Sequence, residues 1–168
     1  IAAAPGSQPD DLSAACRQQG WALHSCPGEG AIGLLERDAL SVPILQGRLG
    51  DLLARSSLAL GQAGTANEQA AGAGIPVVAY DPRGERGLRW YRKRQKGLLG
   101  DAVTIVPQKL ESVVEELAKL LADPTERERR GQIGRERMGP PGGTLRMAEA
   151  ICQLWSEAGQ SEAPRARR

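Results

Sequence analysis

The chain has no run of apolar residues near the roughly 20 that a membrane-crossing helix requires, so no such helix is expected. Its start, IAAAPGSQPDD, lacks a basic segment followed by a long apolar one and is not read as a secretion signal. Cysteine is scarce: Cys16, Cys26 and Cys152 are odd in number, far apart and in no CxxC pair. That pattern argues against a disulfide framework and a zinc site, and a reduced, cytosolic protein is the expectation. His24 is the single histidine and no cluster has metal-ligand spacing, so neither a metal nor another cofactor is expected. A dominant charge is also lacking. With 22 Lys and Arg against 20 Asp and Glu, the net charge of +2 makes no global case for a nucleic-acid partner.

What is present is alternation. Within 168 residues, enough for one domain with a well-buried core, short apolar runs alternate with helical patterns. This predicts βαβ units and an α/β fold with a parallel sheet flanked by helices. Strands are expected at 1–4, 21–25, 43–46, 57–61, 76–80 and 102–107, and helices at 10–19, 49–55, 65–73, 86–99, 110–122, 125–137 and 144–155. Residues 28–42 read as a loop of irregular structure. Leu110, Val113, Val114, Leu117 and Leu121 make the apolar stripe of the fifth helix. Residues 158–168 are expected to be a disordered basic tail. Ile1-Ala2-Ala3-Ala4 runs straight into Pro5-Gly6-Ser7, as though the chain opens inside a strand, and a fragment of a longer protein is expected.

In open parallel sheets ligands bind beyond the carboxyl ends of the strands, so the turns there matter most. Two stand out: Pro5-Gly6-Ser7-Gln8 after the first strand and Gly61-Gln62-Ala63-Gly64-Thr65 before the third helix. Each places Gly and hydroxyl groups where backbone amides can cradle a phosphate. Neither turn matches the P-loop or the GxGxxG pattern. Thr65 and Glu68 have the spacing of a capping box, yet a carboxylate at a helix start after a Gly-rich turn also suits a ligand, and both readings stand. On the fourth helix, Leu88, Tyr91, Gln95, Leu98 and Leu99 share one stripe, with Gln95 its polar exception. Arg86, Arg89, Lys93 and Lys96 share another, which reads as a solvated face or, beside Trp90 and Tyr91, as a contact for an anionic membrane surface. Asp81 and Glu85 follow the best strand, a position from which they could face the ligand cleft, but no paired carboxylate geometry can be read from the sequence.

Four blocks, PGSQPDDL, GQAGTANEQAAGAGIPVVAY, KRQKGLLGDAV and RMGPPGGTLRMAEAI, occur in an order that resembles the C-terminal half of lipid-A-disaccharide synthase and its relatives. Those are two-domain, B-type glycosyltransferases. The resemblance covers nearly the whole chain apart from the tail, and it is less close to the N-acetylglucosaminyl transferase of peptidoglycan synthesis. It implies that residues 1–157 form a Rossmann-like nucleotide-sugar-binding domain, one half of such an enzyme. The other half, absent from this segment, would hold the lipid-linked acceptor. The implied reaction is inverting transfer of a hexosamine-type sugar from UDP, in lipid biosynthesis, by a protein peripheral to the cytoplasmic membrane face. By resemblance Gly6 and Ser7 lie beside the donor diphosphate, Gly64 and Thr65 contact it, Glu68 binds the ribose hydroxyls, and Gln95 meets the sugar. The donor is a substrate, and no metal is implied. This chain has Gln8 where the synthases carry Arg after PGS. Two rival readings remain: a UDP-sugar 2-epimerase-like domain, which would need paired carboxylates in the cleft, and a non-catalytic binding fragment.

Overall fold

A computed structural model describes residues 1–26, 28, 30–81 and 86–161, with the side chains of 86–88 and 159–161 left out. Glu85 and the tail from 162 onward lie outside the described residues, as do the side chains of Arg86 and Leu88. Seven strands and seven α-helices are described, in the order β1 Ala2–Ala3, α1 Pro9–Gln18, β2 Ala22–His24, β3 Ala31–Arg37, β4 Leu40–Gln46, α2 Leu49–Ala54 and β5 Ala59–Leu60. These are followed by α3 Thr65–Gly72, β6 Val77–Asp81, α4 Arg86–Leu99, β7 Val103–Pro107, α5 Leu110–Ala122, α6 Pro124–Met138 and α7 Gly143–Ser161.

The parallel sheet runs β5-β6-β7, with Val77 opposite both Ala59 and Val103. Its central strand explains itself. Val77, Val78 and Ala79 are fully buried, and successive side chains in a strand point to opposite faces, so β6 supplies two cores at once. Val77 and Ala79 pack with Ala70 and Ala71 of α3, Leu99 of α4 and Ile133 of α6. Val78 packs with Val106 and, from α5, Leu120, Val113 and Leu117. Helices therefore cover both faces of this sheet.

The expected single parallel sheet is in fact two sheets. The first 46 residues form a mixed sheet in the order β1-β4-β3-β2, in which only the β1–β4 pair is parallel. The stretch read as irregular, 28–42, holds most of a hairpin: β3 and β4 pair antiparallel across Asp38-Ala39, with Asp38 at φ 54. Asp is one of the few side chains that tolerates that left-handed backbone, but without Gly beside it the turn signal is faint. Pro43, which argues against a strand interior, sits in β4, and its carbonyl accepts a hydrogen bond from the Ile1 amino group at 2.7 Å. This half is thinly packed. Leu35 and Ile44 are its buried apolar residues, and α1 buries none.

Two more expectations shift. The buried side of α5 is Val113, Leu117 and Leu120, while Leu110, Val114 and Leu121 of the expected stripe are more than half exposed. The i, i+4, i+7 set that faces the sheet is thus one step round from the stripe drawn on the sequence. The last helix runs to Ser161, past the expected domain boundary at 157, and carries Leu145, Met147, Ile151, Leu154 and Trp155 exposed.

α6 fixes α3. Asp123 caps α6 by accepting from the Glu126 amide at 2.9 Å, Pro124 opens it, and Arg130, paired within the helix with Glu126 at 2.7 Å, ties it to Glu116 of α5 at 3.0 Å and to Thr104 of β7. The face toward α3 shows Gly131 and Gly134. A Cβ at Gly131 would strike the Gly74 carbonyl, and one at Gly134 the Ala71 carbonyl, both backbone atoms that cannot swing aside. Ala in place of a helical Gly ordinarily gains about 0.5–1 kcal/mol. Here the overpacking cost, about 1–3 kcal/mol, wins. Gly134→Ala is expected to lower the melting temperature, whereas Gly97→Ala, whose Cβ would meet nothing within 4 Å, should not.

Hydrogen bonds from Arg129 and Arg130 hold the Glu126 carboxyl down to about 2. A carboxylate depressed in the folded state contributes stability that is complete above its unfolded value, near about 4.3, and is lost as pH falls toward 2. The melting-temperature gap between the natural chain and Glu126→Gln should therefore be constant above about pH 5 and close between about pH 4 and 2.

Candidate functional site

Beyond the carboxyl end of β5 the chain makes the turn Gly61–Gly64 and enters α3. The Gly61 amide still donates to Val78 in the sheet at 3.0 Å, and the first helical bond runs from the Glu68 amide to the Gly64 carbonyl at 3.1 Å. Gly64 is the capping position and contributes no side chain, while Thr65 is already the first helical residue. The Thr65–Glu68 capping box therefore does not form. Glu68 sits half-buried, and its carboxylate makes no hydrogen bond or ion pair among the described residues.

A buried polar cluster holds the turn. Asn67, Arg92 and Gln95 are 2%, 4% and 2% exposed. The Gln95 Oε1 accepts from Asn67 Nδ2 at 3.1 Å and from Arg92 Nη1 at 3.0 Å. Its Nε2 donates to the Gly64 carbonyl at 3.3 Å and, more loosely, to that of Ala63 at 3.5 Å. Arg92 Nη2 reaches the Gln62 carbonyl at 2.5 Å and its Oε1 at 2.6 Å, and Asn67 Nδ2 also reaches the Gly61 carbonyl at 3.3 Å. A carboxamide has two acceptor sites and two donors, and all four of Gln95's are used inside the protein. Gln95, expected to meet the sugar, is bonded in this structure to Asn67, Arg92 and the turn. Sequence reasoning overlooked Arg92 and Asn67. Arg92 stands one helical turn from Gln95 and could have been paired with it, but nothing marks it off from its exposed neighbours Lys93 and Arg94 in a basic run.

Glu68, Tyr91, Arg94, Gln95 and Leu98 line a cavity of about 190 Å³ beside the α3 start. Tyr91 closes against Gly64 so tightly that a Cβ there would occupy the place of the phenol oxygen. The arrangement offers a carboxylate acceptor at the edge of a helix N-terminus, a guanidinium and a phenol, which together suit a polyhydroxyl ligand carrying negative charge.

Gly6 and Ser7 lie elsewhere. The Ser7 amide closes a tight turn onto the Ala4 carbonyl at 3.1 Å, and Gln46 Nε2 clamps the turn through the Ala4 and Ser7 carbonyls at 2.8 and 3.2 Å. The Gln8 amide donates to Asp11 at 2.9 Å, so the start of α1 already carries the chain's own carboxylates, Asp10 and Asp11. No hydrogen bond among the described residues joins this turn to Gly61–Gly64. A cavity of about 520 Å³ separates β1 from β5, lined by Ile1, Ala2, Leu58, Leu60, Gln62 and Asn67 among others.

The basic stripe on α4 is partly neutralised at home. Arg89 pairs with Asp81 at 3.1 Å, and Lys96 binds Asp101 at 3.0 Å and the Val103 carbonyl at 2.9 Å, leaving Lys93 exposed beside Trp90. His24 pairs with Glu36 at 3.2 Å in the N-terminal mixed sheet, both about half exposed. Gly28-Glu29-Gly30-Ala31-Ile32-Gly33 spells GxGxxG but leads into strand β3, without the strand-turn-helix context that pattern needs. No group of three or more potential metal-ligating side chains comes together among the described residues. No protein-family model, curated protein or solved structure matches the chain.

The close fit at Gly64 gives a double-mutant test. Gly64→Ala should destabilise by about 1–3 kcal/mol in the natural background and by at least about 1 kcal/mol less in Tyr91→Phe, which lacks the offending oxygen. Additive losses in urea denaturation would show that the phenol does not set the turn.

Proposed function

We propose that this chain is the nucleotide-sugar-binding part of an inverting glycosyltransferase similar to lipid-A-disaccharide synthase, with a Rossmann-like domain holding a UDP-hexosamine-type donor. The observation that carries the reading is Glu68. Its half-buried carboxylate stands at the start of α3 with no partner of its own, next to a turn held in place by three buried polar side chains. A carboxylate accepts well from two vicinal hydroxyls, and the amides at Gly64 and Thr65 lie at the positive end of the helix, where a diphosphate is favoured. The reading places Gly6 and Ser7 on the far side of the same ligand, across the gap between β1 and β5. The lipid-linked acceptor would be bound by a second domain, at the cytoplasmic membrane face, and the segment alone would bind donor without turning it over.

Glu68→Gln separates a ligand role from a structural one. With no capping bond to lose, the melting temperature should not move. Removing the charge weakens charge-assisted hydrogen bonds worth about 1.5–3 kcal/mol, so affinity for UDP should fall about tenfold or more. Isothermal titration with UDP in EDTA reads both proteins. A flat trace for the natural chain at millimolar UDP, or equal affinity in the two, overturns the assignment.

A further inference from the structure

Arg92 is a buried cation whose partners are all neutral. Its Nη atoms bond to the Gln95 and Gln62 side-chain oxygens and the Gln62 carbonyl, and its Nε, also buried, has no partner. Burying a guanidinium without a counter-charge is costly, and one donor left unmade adds to the cost. A second orphan lies beside the same cavity. Asp81 accepts from Arg89 through its Oδ2, while its Oδ1 is buried and unpartnered. Asp81, Arg89, Trp90, Arg92, Lys93 and Lys96 line a cavity of about 450 Å³ at the end of β6, on the other flank of α4 from Glu68 and Leu98. Four cations and one carboxylate thus face one concave space, which concentrates positive potential there.

We infer that this cavity is a phosphate site, distinct from the nucleotide-sugar site and independent of that reading. The two orphans are of opposite kind, a donor on Arg92 and an acceptor on Asp81. Near neutral pH inorganic phosphate carries negative charge and still keeps a proton, so it can accept from Arg92 and donate to Asp81. Sulfate has the same shape and no proton, and meets Asp81 with repulsion. Arg89, its side chain two-thirds exposed, is the movable part of the wall over Asp81, and Lys93 supplies charge at the rim. A phosphate monoester with one free P–OH satisfies the same rule whether it is a soluble metabolite or the headgroup of a phosphatidic-acid-type lipid.

Trp90 supplies the readout, because its indole lines the cavity. The indole N–H resonance, assigned with Trp90→Phe, should shift saturably with inorganic phosphate and require at least about tenfold more sulfate for the same shift. Asp81→Asn, which replaces the acceptor-only carboxylate with an amide that donates, should bring the two anions level. Lys93→Gln, exposed and without a fold-holding contact, should weaken phosphate several-fold, and Glu68→Gln should leave it unchanged. Co-sedimentation with phosphatidylcholine vesicles with and without phosphatidic acid separates the sources: a gain with phosphatidic acid that Lys93→Gln removes assigns a lipid headgroup, and no gain assigns a soluble phosphate. Absence of a saturable shift, equal response to the two anions in the natural chain, or a phosphate response untouched by Lys93→Gln each overturns the proposal.

Discussion

One carboxamide holds three pieces of this protein in register. Gln95 projects from α4 and is buried, and its four hydrogen-bonding positions meet α3 through Asn67, its own helix through Arg92, and the turn through the Ala63 and Gly64 carbonyls. A buried amide left half-satisfied is worse than none, so the geometry around it is strongly determined. The turn cannot drift without unmaking bonds to Gln95 and Arg92 together. The candidate site inherits its shape from this cluster rather than from the residues that would touch a ligand.

The other support is steric. The small residues of α3 and the glycines of α6 bring two helix backbones into contact, and α6 is in turn fixed to α5 and β7 by the Arg130 bridge. Because Arg130 is nearly buried and answered by two carboxylates and a hydroxyl, its charge is compensated. Arg92, buried to a greater degree and answered only by neutral oxygens, is the contrasting case within the same fold.

The parallel half of the fold was legible in the sequence, because β6 is a dense β-branched run and the helices around it are bounded by Gly and Pro. The N-terminal half was legible only in part. Its hairpin turns on Asp38 without a Gly, and Pro43, taken as the first residue of a short strand, lies inside the longer β4. Register on α5 slipped by one position because Leu110 and Val114 are apolar and yet face outward. The site was read through its visible carboxylate and glycines. What organises it, Arg92 and Asn67, was hidden because a basic run and a small polar residue look solvated until a fold buries them. Thr65 and Glu68 have the spacing of a box, but the helix begins one residue earlier than that pattern assumes, with Gly64 at the cap, so the Glu68 carboxylate is left free.

The contact between α3 and α6 has a further meaning for recognition. With carbonyls seated directly against Gly131 and Gly134, α3 has no latitude to slide or tilt. Its N-terminal amides are preorganised: the entropy of arranging them is settled when the chain folds and is not charged again when something binds. Adjustment to a ligand is left to Tyr91, Arg94 and Leu98 on the facing helix, so one wall of the cleft is rigid and the opposite wall supplies the fit.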